Sequence, residues 1–394
     1  MSEWREVTLG DVLTLQRGFD LPARDRVDGP YPIVSSSGVT GRHAVAKAEP
    51  PGVVIGRYGS LGSVHWVTEP YWPLNTALWV KDFKGNDPRY VSYLLRTITV
   101  DGSSASAVPG VNRNHLHRLP VRVPRLSVQR RISAILAAFD ELIQINERRI
   151  ELLSDLARSI YREWFMRFQV PQSGRVELVD SEVGRIPSGW DVQPLRSVCS
   201  FMGAGSTPRR SDPSNWEGGT VQWFTTGELQ DGPLMTSTEQ VVLKPGVRIF
   251  EPPMILMAIY GSPTVGRLGW VTRTCSCNQA ALALRAKNAP EAHEWLWFQL
   301  LWLRPRFNAM SQGAAQQNIS KEKVEATTVA VPPADILTRF AEQVGPLRSA
   351  SHELHAMNAK LLTTRDLLLS RLVSGRLDIS DIEVGDLLPH EDAQ

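Results

Sequence analysis

The sequence predicts an α+β protein built as a tandem repeat. Two like domains are each followed by a long coiled-coil helix, and the two helices run antiparallel about an approximate two-fold axis. Three observations carry this reading. The turn "YGSLGSVHW" at Tyr58–Trp66 returns as "YGSPTVGRLGW" at Tyr260–Trp270. Four landmarks recur in the same order: Trp4 and Trp190 at a domain entry, Tyr58 and Tyr260, Asn75 and Asn278 at a strand start, and Pro124 and Pro332 at a strand end. The offsets are 186, 202, 203 and 208, so small insertions explain the drift. Finally, no glycine or proline interrupts the chain from Leu126 to Phe168.

The first domain spans 1–125 and the second 187–331. Both alternate Gly/Pro turns with short β-branched and aromatic runs such as "GVVIG", "SVHWV" and "ALWVKD". A helix interrupts each, over "DPRYVSYLLRTI" and "PEAHEWLWFQLLWL". A central coiled-coil helix follows at 126–168. With Ile132 at heptad position a, the a residues are Ile132, Phe139, Asn146, Leu153 and Ile160, and the d residues are Leu136, Ile143, Ile150, Ala157 and Trp164. Only Asn146 is polar, the pattern of a coiled-coil seam. About 40 residues at 1.5 Å rise make roughly 60 Å of helix. A polar, glycine-bearing linker at 169–186 returns the chain.

The C-terminal coiled-coil helix occupies 332–380. The offset of 208 carries the a positions onto Phe340, Leu347, Leu354, Leu361 and Leu368, all large and apolar. Gly345-Pro346 predicts a break there, because proline lacks the backbone N–H and its ring clashes with the preceding turn. The expectation is a short leading helix and a long one starting near Pro346. The d positions (Val344, Ser351, Asn358, Arg365, Leu372) are mixed. Residues 381–394 read as an acidic, flexible tail.

Composition bounds the function. The chain of 394 residues is 42% hydrophobic and 21% charged, with net charge +2. Residues 1–125 hold 15 Lys/Arg against 11 Asp/Glu, whereas 332–394 hold 6 against 10, a weak bias of positive charge away from the C-terminal end. No apolar run approaches the roughly 20 residues of a membrane span. The polar start "MSEWREVTLG" is no signal peptide. Three cysteines fit a reducing cytoplasm. Cys275-Ser276-Cys277 has no partner pair at zinc spacing and reads as small strand residues. His115 and His117 read as surface histidines. "MGAGSTP" (202–208) reads as a turn, and "EPPM" (251–254) as a loop rather than a methyltransferase motif. There is no phosphate loop and no nucleophile–base constellation. The reading therefore assigns no catalytic residue, no metal ligand and no cofactor.

Two domains of this kind, each opening on tryptophan and closing on a strand-proline boundary before a coiled-coil helix, resemble the specificity subunit of type I restriction–modification enzymes. "LLTTRDLLLSRLVSGRLDI" (361–379) resembles that family's closing helix, and "PRLSVQRRISAILAAFDELIQINERRIELL" its central one. The resemblance covers nearly the whole chain. It departs at "PADILTRFAEQVGPL", which lacks Gln-Arg-Arg-Ile and carries Gly345-Pro346. It implies a non-catalytic subunit with two target recognition domains, each reading one half of a bipartite, non-palindromic site in double-stranded DNA. It implies that the helices set the gap and dock two methyltransferase subunits, with two nuclease–translocase subunits joining through them. Those partners would use S-adenosylmethionine, ATP and Mg. The alternatives are a coiled-coil adaptor, a DNA-binding module of another defence system, or an unrelated enzyme.

Base edges are read chiefly by Arg, Lys, Asn and Gln. The candidates for DNA contact are therefore Arg57, Tyr58, Ser60, Asn112, Arg113 and Asn114 in the first domain. In the second they are Arg209, Arg210, Tyr260, Ser262, Arg267, Gln316, Gln317, Asn318 and Lys321. Tyr58 and Trp66 read equally well as core. Asn146 either fixes helix register as a buried polar residue or marks where the seam opens to solvent.

Overall fold

The computed structural model describes residues 4–57, 62–98, 112–171, 174, 176–261, 264–288, 290–311, 318–377 and 379. The first repeat runs β1 (Trp4–Thr8), α1 (Leu9–Val12), β2 (Thr14–Arg17), β3 (Tyr31–Ser35), β4 (Gly38–His43), β5 (Gly52–Gly56), β6 (Val64–Val67), β7 (Trp72–Pro73) and β8 (Ala77–Asp82). It continues with α2 (Pro88–Arg96), α3 (Arg113–His117), β9 (Pro120–Pro124) and α4 (Leu126–Tyr161), which closes in a wider turn at Arg162–Met166. The linker is not featureless: it forms a hairpin of β10 (Leu178–Ser181) and β11 (Gly184–Pro187). The second repeat runs β12 (Asp191–Pro194), α5 (Leu195–Val198), β13 (Cys199–Ala204), β14 (Val221–Phe224), β15 (Gly232–Leu234), β16 (Gln240–Val241) and β17 (Met254–Ala258). Then come β18 (Leu268–Val271), β19 (Cys275–Cys277), β20 (Ala281–Ala286), α6 (Glu291–Ser311), α7 (Lys321–Glu325), β21 (Thr328–Val331) and α8 (Ala334–Val373).

The repeat holds strand by strand. The main sheet of the first repeat has the order β2-β8-β5-β6, and that of the second β13-β20-β17-β18, to which β15 adds an edge. The smaller sheets are β4-β3-β7 and β16-β14-β19, each with one antiparallel and one parallel pairing. In both repeats the entry strand pairs with the exit strand, β1 with β9 and β12 with β21. Each domain is thus tied shut where its long helix begins.

The chain forms two compact units, Met1–Gln144 with Ala359–Gln394, and Ile145–Asn358. Each holds one α+β domain with a stretch of both α4 and α8. Strand alternation sends neighbouring apolar residues of a central strand to opposite faces, into different cores. In the first unit Val53 and Ile55 of β5 face a core shared with Ile132 and Leu136 of α4 and Leu372 of α8, while Val54 faces a separate cluster. In the second unit Ile255 and Met257 of β17 join Tyr161, Trp164, Phe298 and Phe340, while Met254, Leu256 and Ala258 face the opposite side. The α2 helix starts where Asp87 accepts from the Tyr90 N–H (2.7 Å) and Pro88 occupies the first turn. Burial pushes the thiols of Cys199 and Cys275 up to about 12, as expected for apolar strand residues.

All ten a and d residues of α4 and its closing turn are buried or half-buried, as are those of α8. Within the second unit Asn146 meets Asn358, and Trp164 meets Phe340 at 5.8 Å. Rising numbers in α4 meet falling numbers in α8, so the stretches are antiparallel. The expected break at Gly345-Pro346 does not occur: α8 is continuous through it. Glycine before proline has no Cβ to clash with the ring, and Pro346 faces solvent. Phe340 and Val344 are fully buried on the other face and hold the two turns in line. The α6 helix likewise outlasts its expected end and passes through Pro305 to Ser311. Arg304 is anchored to Asp231 (2.8 Å) and to the Gly266 carbonyl (2.8 Å), and Phe307 is fully buried beyond the proline. "MGAGSTP" is a turn only from Gly205 onward, since Met202–Ala204 end β13. His117 is not a free surface histidine. Its Nε2 accepts from the Leu15 N–H (2.9 Å), and burial lowers its pKa.

Asn146 does not open the seam. It is 1% exposed, and its Nδ2 donates to Asn358 Oδ1 at 2.8 Å. Asn146→Leu removes that donor from a buried amide oxygen and should cost about 1–3 kcal/mol. The double substitution Asn146→Leu/Asn358→Leu should recover most of the loss, because it removes both polar groups together. Denaturant titration of the three variants checks this, and a double variant less stable than the single one would contradict it.

Acid should weaken the second unit. Burial, then the nearby Arg348 and Arg285, lower the His293 pKa to about 4. Burial, Arg348 and His355 lower that of His352 to about 3. Both rings are neutral when folded and take up protons on unfolding near their ordinary value of about 6.5. Stability is therefore complete above about pH 6.5 and falls as pH drops toward 4, by up to about 1.4 kcal/mol per unit for each ring. Melting curves between pH 7.5 and 4.5 should show a shallower slope for His293→Gln than for the parent chain. Equal slopes would remove His293 as a cause.

Candidate nucleic-acid interface

In the first domain Asn112, Arg113 and Asn114 form one exposed cluster at the start of α3. Asn112 Oδ1 accepts from the Asn114 N–H at 2.9 Å and caps α3 beside Arg113. In the second domain Lys321 opens α7 at the equivalent position, 208 residues on. There Ser320 takes the capping role of Asn112. Lys321 is drawn to Glu325 at 3.4 Å, and Glu325 is also bound by Arg196 at 2.6 Å.

The second Tyr-Gly-Ser turn lies against the approach to α7. Tyr260 pairs through its backbone with Asn318, and the Gly261 N–H donates to Asn318 Oδ1 at 3.1 Å. Tyr260 is 41% exposed, so its ring is not core. Arg267 is half-buried at the foot of this turn. Arg57 is half-buried, and its N–H donates to the Thr76 carbonyl at 3.1 Å. Tyr58, Ser60, Ser262, Gln316 and Gln317 lie outside the described residues.

Arg209 and Arg210 belong to a different loop, before β14. Both are exposed. Arg210 lies 4.4 Å over Trp216 and 4.8 Å over Trp223, and its two terminal nitrogens donate to Glu239 at 2.6 and 2.9 Å. The hydrogen bonds to Glu239 hold its pKa up. With both terminal nitrogens committed, Arg210 is poorly placed for the two-pronged contact that reads guanine, whereas exposed Arg113 is well placed. The sequence does not reveal this clamp, because Glu239 lies 29 residues from Arg210. The only local signal is Trp216 six positions after the arginine.

Fold and surface together define a duplicated protein: two like α+β modules, each carried on paired helices and presenting cationic helix starts at equivalent positions. The model of the type I restriction modification DNA specificity domain matches residues 1–154 and again residues 187–352, and the chain belongs to that family. The type I restriction enzyme MjaIX specificity subunit of Methanocaldococcus jannaschii is 22% identical over 303 residues, covering 74% of this chain and 70% of the relative. The crystal structure of the S subunit of a type I restriction-modification system from M. genitalium aligns with a TM-score of 0.61 at 15% identity. It covers 94% of this chain and 96% of that one, a likeness of fold. Among the described residues, no helix is long and apolar enough to cross a membrane.

Proposed function

We propose that this chain reads DNA sequence for a type I restriction–modification complex in the cytoplasm. Each domain reads one half of a bipartite, non-palindromic site, and α4 and α8 set the gap. One observation carries the reading: the two domains share one strand order but present different side chains at matching places, such as Arg113 and Lys321. One scaffold with two different reading surfaces suits two different half-sites. Catalysis, with S-adenosylmethionine, ATP and Mg, belongs to the partners, two methyltransferase and two nuclease–translocase subunits. The exposed Ile145, Leu152 and Leu156 line one side of α4 at helical spacing, a face suited to docking such a partner.

The test changes helix length. Four residues inserted after Asn146, matched by four before Asn358, add about 6 Å to each helix. That is close to two base pairs at about 3.4 Å each. Mapping of methylated sites with the partner subunits should then show a gap about two base pairs longer and unchanged half-sites. Altered half-sites with an unchanged gap would overturn the reading.

A further inference from the structure

In both units the tryptophan after the repeated turn carries an arginine, and that arginine meets a carboxylate. In the first unit Arg89 of α2 lies 4.7 Å over Trp66 and donates to Asp140 of α4 at 3.2 Å. Arg96, two turns along α2, lies 3.6 Å from the same carboxylate. In the second unit Arg348 of α8 lies 4.2 Å over Trp270 and donates to Glu294 of α6 at 2.6 Å. Asp140 and Arg348 are equivalent positions, separated by the offset of 208 that aligns the helix seams. The domain helices align through Asn86-x-Pro88 and Asn288-x-Pro290, an offset of 202, which matches Glu294 with Ser92. Ser92 stands between Arg89 and Arg96, three residues after one and four before the other, so all three positions share a helix face.

The same contact is therefore built twice in the same place, with its sign reversed. In the first unit the domain supplies two cations and α4 the anion, to which Arg365 of α8 adds a further cation at 2.9 Å. In the second the domain supplies the anion and the long helix the cation. Both pairs are largely removed from water, with side chains 20% and 14% exposed in Arg89–Asp140 and 26% and 5% in Arg348–Glu294. Charges so placed are tolerated only with an opposite partner.

We propose that the two clusters are keyed latches: each seats its domain on the long helix that follows it, and the reversed polarity stops the domain of one repeat from seating on the helix of the other. Two repeats with one scaffold and similar apolar seams need such a device, because apolar packing alone does not tell them apart. Seating α2 on α8 would set Arg89 and Arg96 against Arg348. Seating α6 on α4 would set Glu294 against Asp140. Like charges at a desolvated contact reject the wrong pairing while opposite charges accept the right one. The inference rests on the proposed function only for its consequence, since a mis-seated domain would present its loops to the wrong half-site.

The test uses the full chain and no DNA, so its outcome and that of the DNA reading are independent. Arg348→Glu and Glu294→Arg each set like charges together, and each should lower amide-exchange protection in α6 at least tenfold while leaving α2 unchanged. Arg348→Met serves the same purpose where a reversal does not fold. The combined Glu294→Arg/Arg348→Glu chain restores attraction and should regain α6 protection. It also gives both repeats the same polarity, so the key is lost. On refolding at micromolar concentration it should form several-fold more domain-swapped oligomer than the parent chain, by light scattering. An ordinary structural ion pair would not produce that second effect. Unchanged α6 protection in the single variants would overturn the latch. A combined variant that refolds with the parent's oligomer fraction would overturn the key.

Discussion

Phe340→Ala should destabilise the second unit by about 3–5 kcal/mol, the range for removing a large aromatic side chain from a closed core. Phe340 is fully buried, and its ring lies 4.8 Å from that of Phe165, 5.8 Å from Trp164 and 6.0 Å from Phe298. These partners come from α6 and from the turn that closes α4, so one side chain joins three elements. The neighbours are held away from the space the ring would leave: Tyr161 by a 2.7 Å hydrogen bond to Gln299, and Trp164 under the Arg339 guanidinium at 5.7 Å. The cavity therefore persists instead of collapsing. Exchange protection in α6 and denaturant melting of the full chain would measure the loss, with Phe340→Leu giving a smaller one. A cost below about 1 kcal/mol for the alanine variant would show that the cluster repacks freely.

Asp140→Ala should cost the first unit about 3 kcal/mol, within the usual range for removing one member of a buried charge cluster. The carboxylate accepts from Tyr93 Oη at 2.7 Å, Arg89 at 3.2 Å and Arg365 at 2.9 Å, with Arg96 at 3.6 Å. Its removal leaves three guanidinium groups facing one another and takes the acceptor from the Tyr93 hydroxyl. Asp140→Asn keeps the shape and one acceptor oxygen and should lose less. Because part of the deficit is repulsion among the arginines, it should shrink in higher salt. Melting of the first unit at two salt concentrations tests this, and a deficit below about 1 kcal/mol would mean that the arginines find other partners.

The repeat is legible in landmarks that recur in order, and the α+β character of each domain and the seams of both long helices in local pattern. Short β-branched runs such as "GVVIG" between Gly/Pro turns and the heptads from Ile132 to Trp164 act over a few residues, and the structure uses them as strand and helix seam. Asn146 is the intermediate case. Its place in the seam is visible from the heptad, but its partner Asn358 lies 212 residues away and depends on how the helices pair. The proposed reading surface is less legible still. The offset of 208 already carries Arg113 onto Lys321, but that both stand at the first turn of a short helix, α3 and α7, is seen only in the fold.

The duplication, the heptad seams and the family resemblance are written in short-range pattern and ordered landmarks. Contacts between residues far apart in the chain hold α8 unbroken through Gly345-Pro346, carry α6 past Pro305 and gather Arg89, Arg96 and Arg365 around Asp140. One cause underlies all three. Local propensities of one or a few kcal/mol at a proline are outweighed by packing supplied from distant residues. Likewise, a charged side chain has no assigned partner until the fold removes it from water beside one.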